Sequence, residues 1–159
     1  MLPGNGDLSS LRYEKICILA DADSDGLHIA TLLCALFLRH YKSLVQEGRI
    51  YISMPPLYRI DCGKDVLYAL DDKQREEIVS NFKGKKGKAK INIQRFKGLG
   101  EMNPSQLRET VMDPATRQLV QLSISSSDNA NSMMDLLLSK KNAPARKEWL
   151  EKKGSLAKI

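Results

Sequence analysis

Three aspartates stand at alternate positions in residues 15–33, which have the sequence KICILADADSDGLHIATLL. Asp21, Asp23 and Asp25 follow one apolar run and precede another. Ionised carboxylates this close repel one another, so a compensating positive charge is expected nearby. Residues i and i+2 of a strand point to the same face, so Asp21 and Asp23 are predicted to project together. Such a pair suits Mg²⁺, which binds one or two carboxylates plus phosphate oxygens, and two adjacent ions would explain the third carboxylate.

The same spacing is compatible with three other interpretations. An EF-hand loop requires glutamate at its twelfth position, which here is Leu32, and a strand-like run precedes it instead of a helix. A haloacid dehalogenase-like phosphotransferase would use Asp21 as nucleophile and Asp23 as general acid. However, Asp25 replaces the Thr or Val of that family, and no later acidic pair completes its metal site. In a structural interpretation, Asp25 turns the chain with Gly26 and caps a helix, the other two carboxylates being solvated.

A strand, a helix and a second strand are predicted to position the aspartates. Residues 16–20 are apolar and predict a short buried strand. Residues 27–47 predict one helix that ends at Gly48, and residues 49–53 (RIYIS) predict the second strand. A connection of this length predicts a right-handed crossover between parallel strands.

The rest of the chain is predicted to mix strands and helices. A hairpin is expected in residues 57–70, followed by a helix with Asp71 as N-cap and Gln74 at the capping-box position. Asn103–Pro104 and Asp113–Pro114 both have the composition of helix starts. Residues 91–96 and 118–124 are strand candidates, and two helices separated near Pro144 are expected at the end of the chain.

Positive charge is concentrated in one segment. The chain has 159 residues and a formal net charge of +6, and residues 83–97 contain seven Lys or Arg and no acid. The remaining residues therefore sum to −1, and the basic segment predicts either a solvated loop or contact with nucleic-acid phosphates. A hydrophobic content of 42% excludes a wholly disordered chain. The three cysteines lack metal-site spacing and no apolar run could span a membrane, so a soluble, cytoplasmic protein is expected.

Two long motifs together resemble a known family. LADADSDGLHIATLL and QRFKGLGEMNPSQLRETVMDP are similar to the TOPRIM region and tail of type IIA topoisomerase B subunits, and the resemblance covers almost the whole chain. The short stretch between the motifs resembles the topoisomerase IV branch more than gyrase subunits, which carry a large insertion there. The resemblance implies an ATP-driven enzyme that cuts one DNA duplex, passes another through the break and reseals it. It also implies an A subunit as partner, in an A2B2 heterotetramer of the bacterial cytoplasm.

The resemblance implies roles for particular residues. Asp21 and Asp23 would bind Mg²⁺ directly and Asp25 would support them, whereas the nucleophilic tyrosine would belong to the A subunit. The RFKGLGEM loop would lie close to DNA, although it could also be a turn shaped by its two glycines. His28 is interpreted mainly as a helix-packing or carboxylate-bonded residue and otherwise as a DNA contact. The other residues expected to contact DNA are Arg95, Lys97, Gly98, Lys83, Lys85 and Lys86.

The resemblance also implies a fold and three regions. The fold would be a partial, Rossmann-like TOPRIM domain of α/β class with parallel strands, followed by a mixed α+β tail. Residues 1–60 would end the TOPRIM domain, 61–96 would form an accessory hairpin, helix and lysine-rich loop, and 97–159 would form the tail. The TOPRIM glutamate has no match before Asp21, since Glu14 has the wrong context, and the ATP-binding domain is missing. The chain is therefore expected to be inactive alone; the alternative is a non-catalytic DNA-binding or subunit-docking module.

Overall fold

A computed structural model describes residues 8–9, 11–85, 91–125 and 129–156 of the chain. Within these ranges the backbone forms two three-stranded sheets with helices packed on them. The α/β class predicted from the sequence is confirmed. None of the helices in the described ranges combines the length and the apolar character needed to cross a bilayer.

The first sheet contains strands β1 (Ile16–Ile18), β2 (Ile50–Ser53) and β6 (Leu119–Gln121), with β2 in the middle. β1 and β2 run parallel, and β6 pairs antiparallel to β2. The predicted parallel pairing of the two strands is therefore confirmed. β1 is shorter than predicted because the chain leaves the sheet before it reaches the aspartates.

Two helices connect β1 to β2, where the sequence predicted one. Helix α1 (Ser24–His40) begins earlier than predicted because Asp23 caps it. The helical backbone is interrupted at Tyr41, with φ −136° and ψ 44°, before the short helix α2 (Lys42–Gln46). Gly48 follows with φ +66°, a conformation that glycine adopts without strain, and the predicted stop is confirmed.

The first core fixes α1 on the first sheet. Ala30, Cys34 and Leu38 recur every four residues and are buried on one face of the helix. They belong to the same cluster as Ile18 of β1 and Ile50 of β2, which is completely buried. Burial of an aliphatic side chain contributes about 1.5–3 kcal/mol to the stability of the folded state. This cluster therefore holds the start of α1 next to the end of β1.

The second sheet contains strands β3 (Tyr58–Cys62), β4 (Asp65–Ala69) and β5 (Ile91–Arg95), with β3 in the middle. Both neighbours of β3 are antiparallel to it. The tight turn between β3 and β4 has Gly63 at φ +68°. The predicted hairpin and the predicted strand after the lysine-rich segment are confirmed.

Helix α3 (Asp72–Lys85) packs its apolar side chains on the second sheet. Asp71 caps it as predicted, because Asp71 Oδ1 accepts a hydrogen bond from the Gln74 N–H at 2.8 Å. The reciprocal bond differs from a capping box, since Gln74 Oε1 accepts from Leu70 N–H at 2.9 Å. The helix also extends into the segment predicted to be a lysine-rich loop.

After β5 the chain forms helix α4 (Pro104–Leu107) and a π-helical turn (Arg108–Met112). The predicted cap is confirmed: Asn103 and Gln106 exchange backbone-to-side-chain hydrogen bonds of 2.9 and 3.0 Å. The second predicted helix start, at Asp113, is wrong. Asp113 Oδ1 accepts from Ala115 N–H at 2.9 Å and stabilises a turn instead.

Two helices, α5 (Ala130–Leu138) and α6 (Ala143–Lys153), follow β6 as predicted. α5 contacts α1 and is joined to it by an ion pair between Arg39 and Asp135. Arg146 of α6 donates to the carbonyl oxygens of residues 136 and 137, at 2.9 Å each. These carbonyls lack helical partners at the end of α5, so Arg146 ties the two helices together.

Tyr68 of β4 connects the second sheet to the π-helical turn. Its hydroxyl donates to Glu109 Oε2 at 2.9 Å. Burial, and then the hydrogen bond to this carboxylate, raise the pKa of Tyr68 from 10.0 to about 12. The neutral phenol is thus favoured in the folded chain, and the resulting stability is present below pH 10 and lost as the pH rises through about 12.

We expect the Tyr68 phenol to ionise in a late step, near pH 12, in an ultraviolet titration of the chain. Tyr68→Phe should remove this late step, and Glu109→Gln should move it to lower pH because the negative charge is removed. Tyr13→Phe is the matched control, since Tyr13 is 71% exposed. A late step that survives Tyr68→Phe would contradict the assignment.

Candidate functional site

The acidic segment connects the carboxyl end of β1 to the start of α1. Asp23 is the N-cap of the helix, and its Oδ1 accepts from the Gly26 N–H at 2.7 Å. The capping role considered for Asp25 therefore belongs to Asp23. Asp25 lies exposed in the first turn of α1, where a negative charge interacts favourably with the helix dipole.

Asp21 directly contacts the loop formed by residues 97–102, here called the KGLGEM loop. Its Oδ1 accepts a hydrogen bond from the Leu99 N–H at 2.8 Å, across 78 residues of sequence. A Cβ on Gly98 would lie 2.9 Å from Asp21 Oδ2, so the carboxylate rests against the glycine backbone. The acidic motif and the KGLGEM motif, which are far apart in the sequence, therefore contact each other directly. Their spacing did not predict this contact.

The backbone of Asp21 also packs closely, against Gly26 in the first turn of α1. A Cβ on Gly26 would lie 2.1 Å from the carbonyl oxygen of Asp21, which is far inside any tolerated contact. Gly26 is buried, and the first turn of α1 packs on the backbone that leaves β1. Glycine at 26 is therefore required by space as well as by the turn.

The loop that contacts Asp21 is itself firmly anchored. Phe96 is 2% exposed, and its N–H donates to the Leu57 carbonyl at 2.8 Å. The Lys97 N–H donates to Glu101 Oε2 at 2.8 Å, and the side chain of Met102, at the end of the loop, is buried. These contacts fix the position of the Leu99 N–H relative to the second sheet.

Positive side chains lie beside the acidic segment. An open cleft of about 420 Å³ is lined by Asp23, Arg95 and Lys97 together with Ala22, Leu57 and Phe96. Arg95 and Lys97 are exposed, and within the described ranges neither forms an ion pair. The Arg95 guanidinium lies 5.9 Å from the centroid of the Tyr58 ring. This cation–π contact favours one orientation of the Arg95 side chain. The expected compensating charge is thus present, in a form that could bind phosphate oxygens.

One oxygen of Asp21 and one oxygen of Asp23 remain available to a metal ion. Asp21 and Asp23 each have Oδ1 bound by a backbone N–H, and no described residue donates to either Oδ2. One oriented oxygen from each suits an ion that binds one or two carboxylates and keeps several waters. In the described ranges, no three His, Cys, Asp or Glu side chains are grouped to hold an ion. Asp25 is therefore not placed in a common ligand set with the other two.

The remaining predicted site residues lie apart from this unit or outside the described residues. His28 is exposed on α1, and no described residue forms a hydrogen bond with it, so neither its packing nor its bond to a carboxylate is supported within the described ranges. The backbones of Lys83 and Lys85 lie in the last turn of α3. Lys86 lies outside the described residues. Contact of these four side chains with DNA stays a prediction.

Known proteins resemble the chain over nearly its full length. The family model described as DNA gyrase B subunit, carboxyl terminus, matches residues 88–151. The B subunit of DNA topoisomerase 4 is 60% identical over 157 residues in Pseudomonas aeruginosa and 60% identical over 159 residues in Escherichia coli (strain K12). Either alignment includes 99% of this chain but only 25% of the relative. The DNA gyrase B subunit of Thermotoga maritima is 44% identical over 147 residues, 92% of this chain and 22% of that protein. The chain thus spans about a quarter of the length of these relatives.

A solved structure supports the fold. The crystal structure of the Plasmodium falciparum topoisomerase II DNA-binding, cleavage and re-ligation domain matches with a TM-score of 0.71. The match includes 92% of this chain and 19% of that chain, at 24% identity. At that identity the likeness bears on the fold alone, and it agrees with the α/β arrangement described above.

Proposed function

Because this chain belongs to the type IIA topoisomerase B-subunit family, we propose that it forms the part of a topoisomerase IV B subunit that holds Mg²⁺ where DNA is cleaved. The intact enzyme would be an A2B2 heterotetramer of the bacterial cytoplasm that breaks, passes and reseals double-stranded DNA. The observation that carries the proposal is the bond between Asp21 and the Leu99 N–H. It joins the acidic motif to the KGLGEM loop on one surface, next to two exposed basic side chains.

In this proposal the charged residues around the cleft have distinct roles. Asp21 and Asp23 are the direct metal ligands, and Asp25 is a supporting negative charge. A second Mg²⁺ ion would account for this third carboxylate. Mg²⁺ held by Asp21 and Asp23 would supply positive charge to stabilise the scissile phosphate and the departing 3′ oxygen. Arg95 and Lys97 bind neighbouring phosphates and position the DNA strand, with Gly98 allowing a close approach of the backbone.

The nucleophilic tyrosine is proposed to come from the A subunit. Two tyrosines of this chain lie in the second sheet and already have carboxylate partners: Tyr58 donates to Asp72 Oδ1 at 2.8 Å, and Tyr68 donates to Glu109. Neither hydroxyl lines the cleft beside Asp23. ATP hydrolysis is proposed to take place in the remainder of the intact B subunit.

Decatenation by the reconstituted enzyme tests this proposal. The intact B subunit that contains this chain is combined with its A subunit and supplied with interlinked DNA circles. We expect the circles to separate only when both ATP and Mg²⁺ are present, and the A subunit alone to be inactive. Binding of DNA and of the A subunit without any strand passage in the complete mixture would identify the chain as a docking module instead.

A further inference from the structure

We infer that the Leu99 N–H orients the carboxylate of Asp21, and that glycine at position 98 is required for this contact. The KGLGEM loop would then be a structural component of the metal site as well as a DNA-facing loop. Leu99 and Gly98 are positioning residues here, because they act through Asp21. The inference rests on the proposed function, since it concerns a metal ligand of that site.

The contact between the loop and Asp21 involves the whole carboxylate. Leu99 N–H donates to Oδ1 at 2.8 Å, while the three atoms nearest to a Cβ on Gly98 are Oδ2, Cγ and Oδ1 of Asp21, at 2.9, 3.0 and 3.1 Å. The carboxyl group therefore lies against the Gly98 backbone, in space that any other residue would fill. Gly100, two residues later, has no atom within 4 Å of the corresponding position. Only one of the two loop glycines is thus required by this contact.

An oriented carboxylate binds a metal ion better than a mobile one. Asp21 is exposed, so without a partner its side chain would sample several rotamers and lose part of its binding energy to ordering. A hydrogen bond from a backbone N–H to an ionised oxygen is short and strong, and here it leaves Oδ2 for the ion. Loss of such a supporting partner typically weakens metal binding about 10–100-fold.

The two proposed ligands are oriented by different parts of the chain. Asp23 is held by the Gly26 N–H, three residues away, within the start of α1. Asp21 depends on a loop that follows β5 and is anchored by Phe96 and Glu101. Displacement of the loop would therefore affect Asp21 and leave the cap at Asp23 unchanged.

The first test compares Gly98→Ala with the matched variant Gly100→Ala in the reconstituted A2B2 enzyme. The readout is the Mg²⁺ concentration that gives half-maximal cleavage at a saturating DNA concentration. DNA affinity is measured separately, in the presence of a metal chelator. We expect Gly98→Ala to raise this concentration about 10–100-fold, as for loss of a supporting partner, and Gly100→Ala to leave it unchanged. Equal values for the two variants would overturn the inference. Absence of Mg²⁺-dependent cleavage in the wild type would instead overturn the proposed function.

The second test needs no metal and no activity. Amide hydrogen exchange at Leu99 is measured in the metal-free B subunit that carries Asp21→Ala or Asp21→Asn. We expect faster exchange in Asp21→Ala, where the acceptor is removed, and a rate near the wild type in Asp21→Asn, whose amide oxygen can still accept. Exchange at Leu99 that is unaffected by Asp21→Ala would show that this bond does not hold the loop, and would overturn the inference.

Discussion

Replacing Asp21 and Asp23 together with asparagine is expected to reduce Mg²⁺-dependent DNA cleavage by about 100-fold or more, the loss typical when charge stabilisation is removed from a transition state. The amide oxygens of asparagine can still accept from the Leu99 and Gly26 N–H groups, so the local structure should persist. What disappears is the negative charge that we propose binds Mg²⁺. Cleavage is measured in the reconstituted enzyme over a range of Mg²⁺ concentrations.

A matched control is provided by two aspartates that have similar bonds elsewhere. Asp71 Oδ1 accepts from the Gln74 N–H at 2.8 Å, and Asp113 Oδ1 accepts from the Ala115 N–H at 2.9 Å. The double variant Asp71→Asn/Asp113→Asn makes the same chemical change away from the cleft. It should cleave as well as the wild type. Equal cleavage by both double variants would mean that the acidic segment is structural and that the proposed mechanism is wrong.

Gly26→Ala is expected to destabilise the chain by about 3 kcal/mol, the upper end of the cost of overpacking a well-packed site. Alanine is favoured over glycine inside a helix by about 1 kcal/mol, so propensity alone would predict a more stable protein. The steric term should win, because the new Cβ would lie 2.1 Å from a backbone oxygen that cannot rotate away. The clash should also displace Asp21, a ligand of the proposed metal site.

Urea denaturation of the purified chain measures the change in the free energy of unfolding. Gly154→Ala is the control, since no atom lies within 4 Å of its Cβ position and it should be neutral or slightly stabilising. For a chain of this size the expected loss corresponds to a fall in melting temperature of about 6–12 °C. An unchanged or increased stability of Gly26→Ala would show that the packing of α1 against the end of β1 is looser than described.

Local sequence signals predicted most of the elements. Alternating or continuous apolar runs located the strands, and Gly48, Gly63 and Asn103 marked a helix end, a hairpin turn and a helix start through their own conformational preferences. The helix predicted at Asp113 failed because an aspartate before proline stabilises a turn as readily as a helix cap. Which of the two forms depends on the packing around the segment, and this is not encoded locally.

The candidate site was predicted in part. The alternating aspartates and the end of a strand indicated where carboxylates would gather, but any aspartate can cap a helix. The choice of Asp23 over Asp25 depends on where α1 can approach the strand end, and therefore on Gly26. The contact of Asp21 with Leu99 could not be predicted from spacing, since no local signal connects residues 78 positions apart.

The bond between Asp21 and Leu99 also has a consequence for the order of folding. The Asp23 cap joins residues three apart and can form with the first turn of α1, whereas the Asp21 bond closes a loop of 78 residues. Closing a long loop costs entropy that is recovered only when distant segments have assembled. We expect the acidic segment to acquire its helical start early and its full complement of supporting bonds only after the second sheet is complete. In a nascent or half-folded chain, the Asp21 carboxylate would then lack the partner that orients it, so the proposed metal site would be complete only in the fully folded molecule.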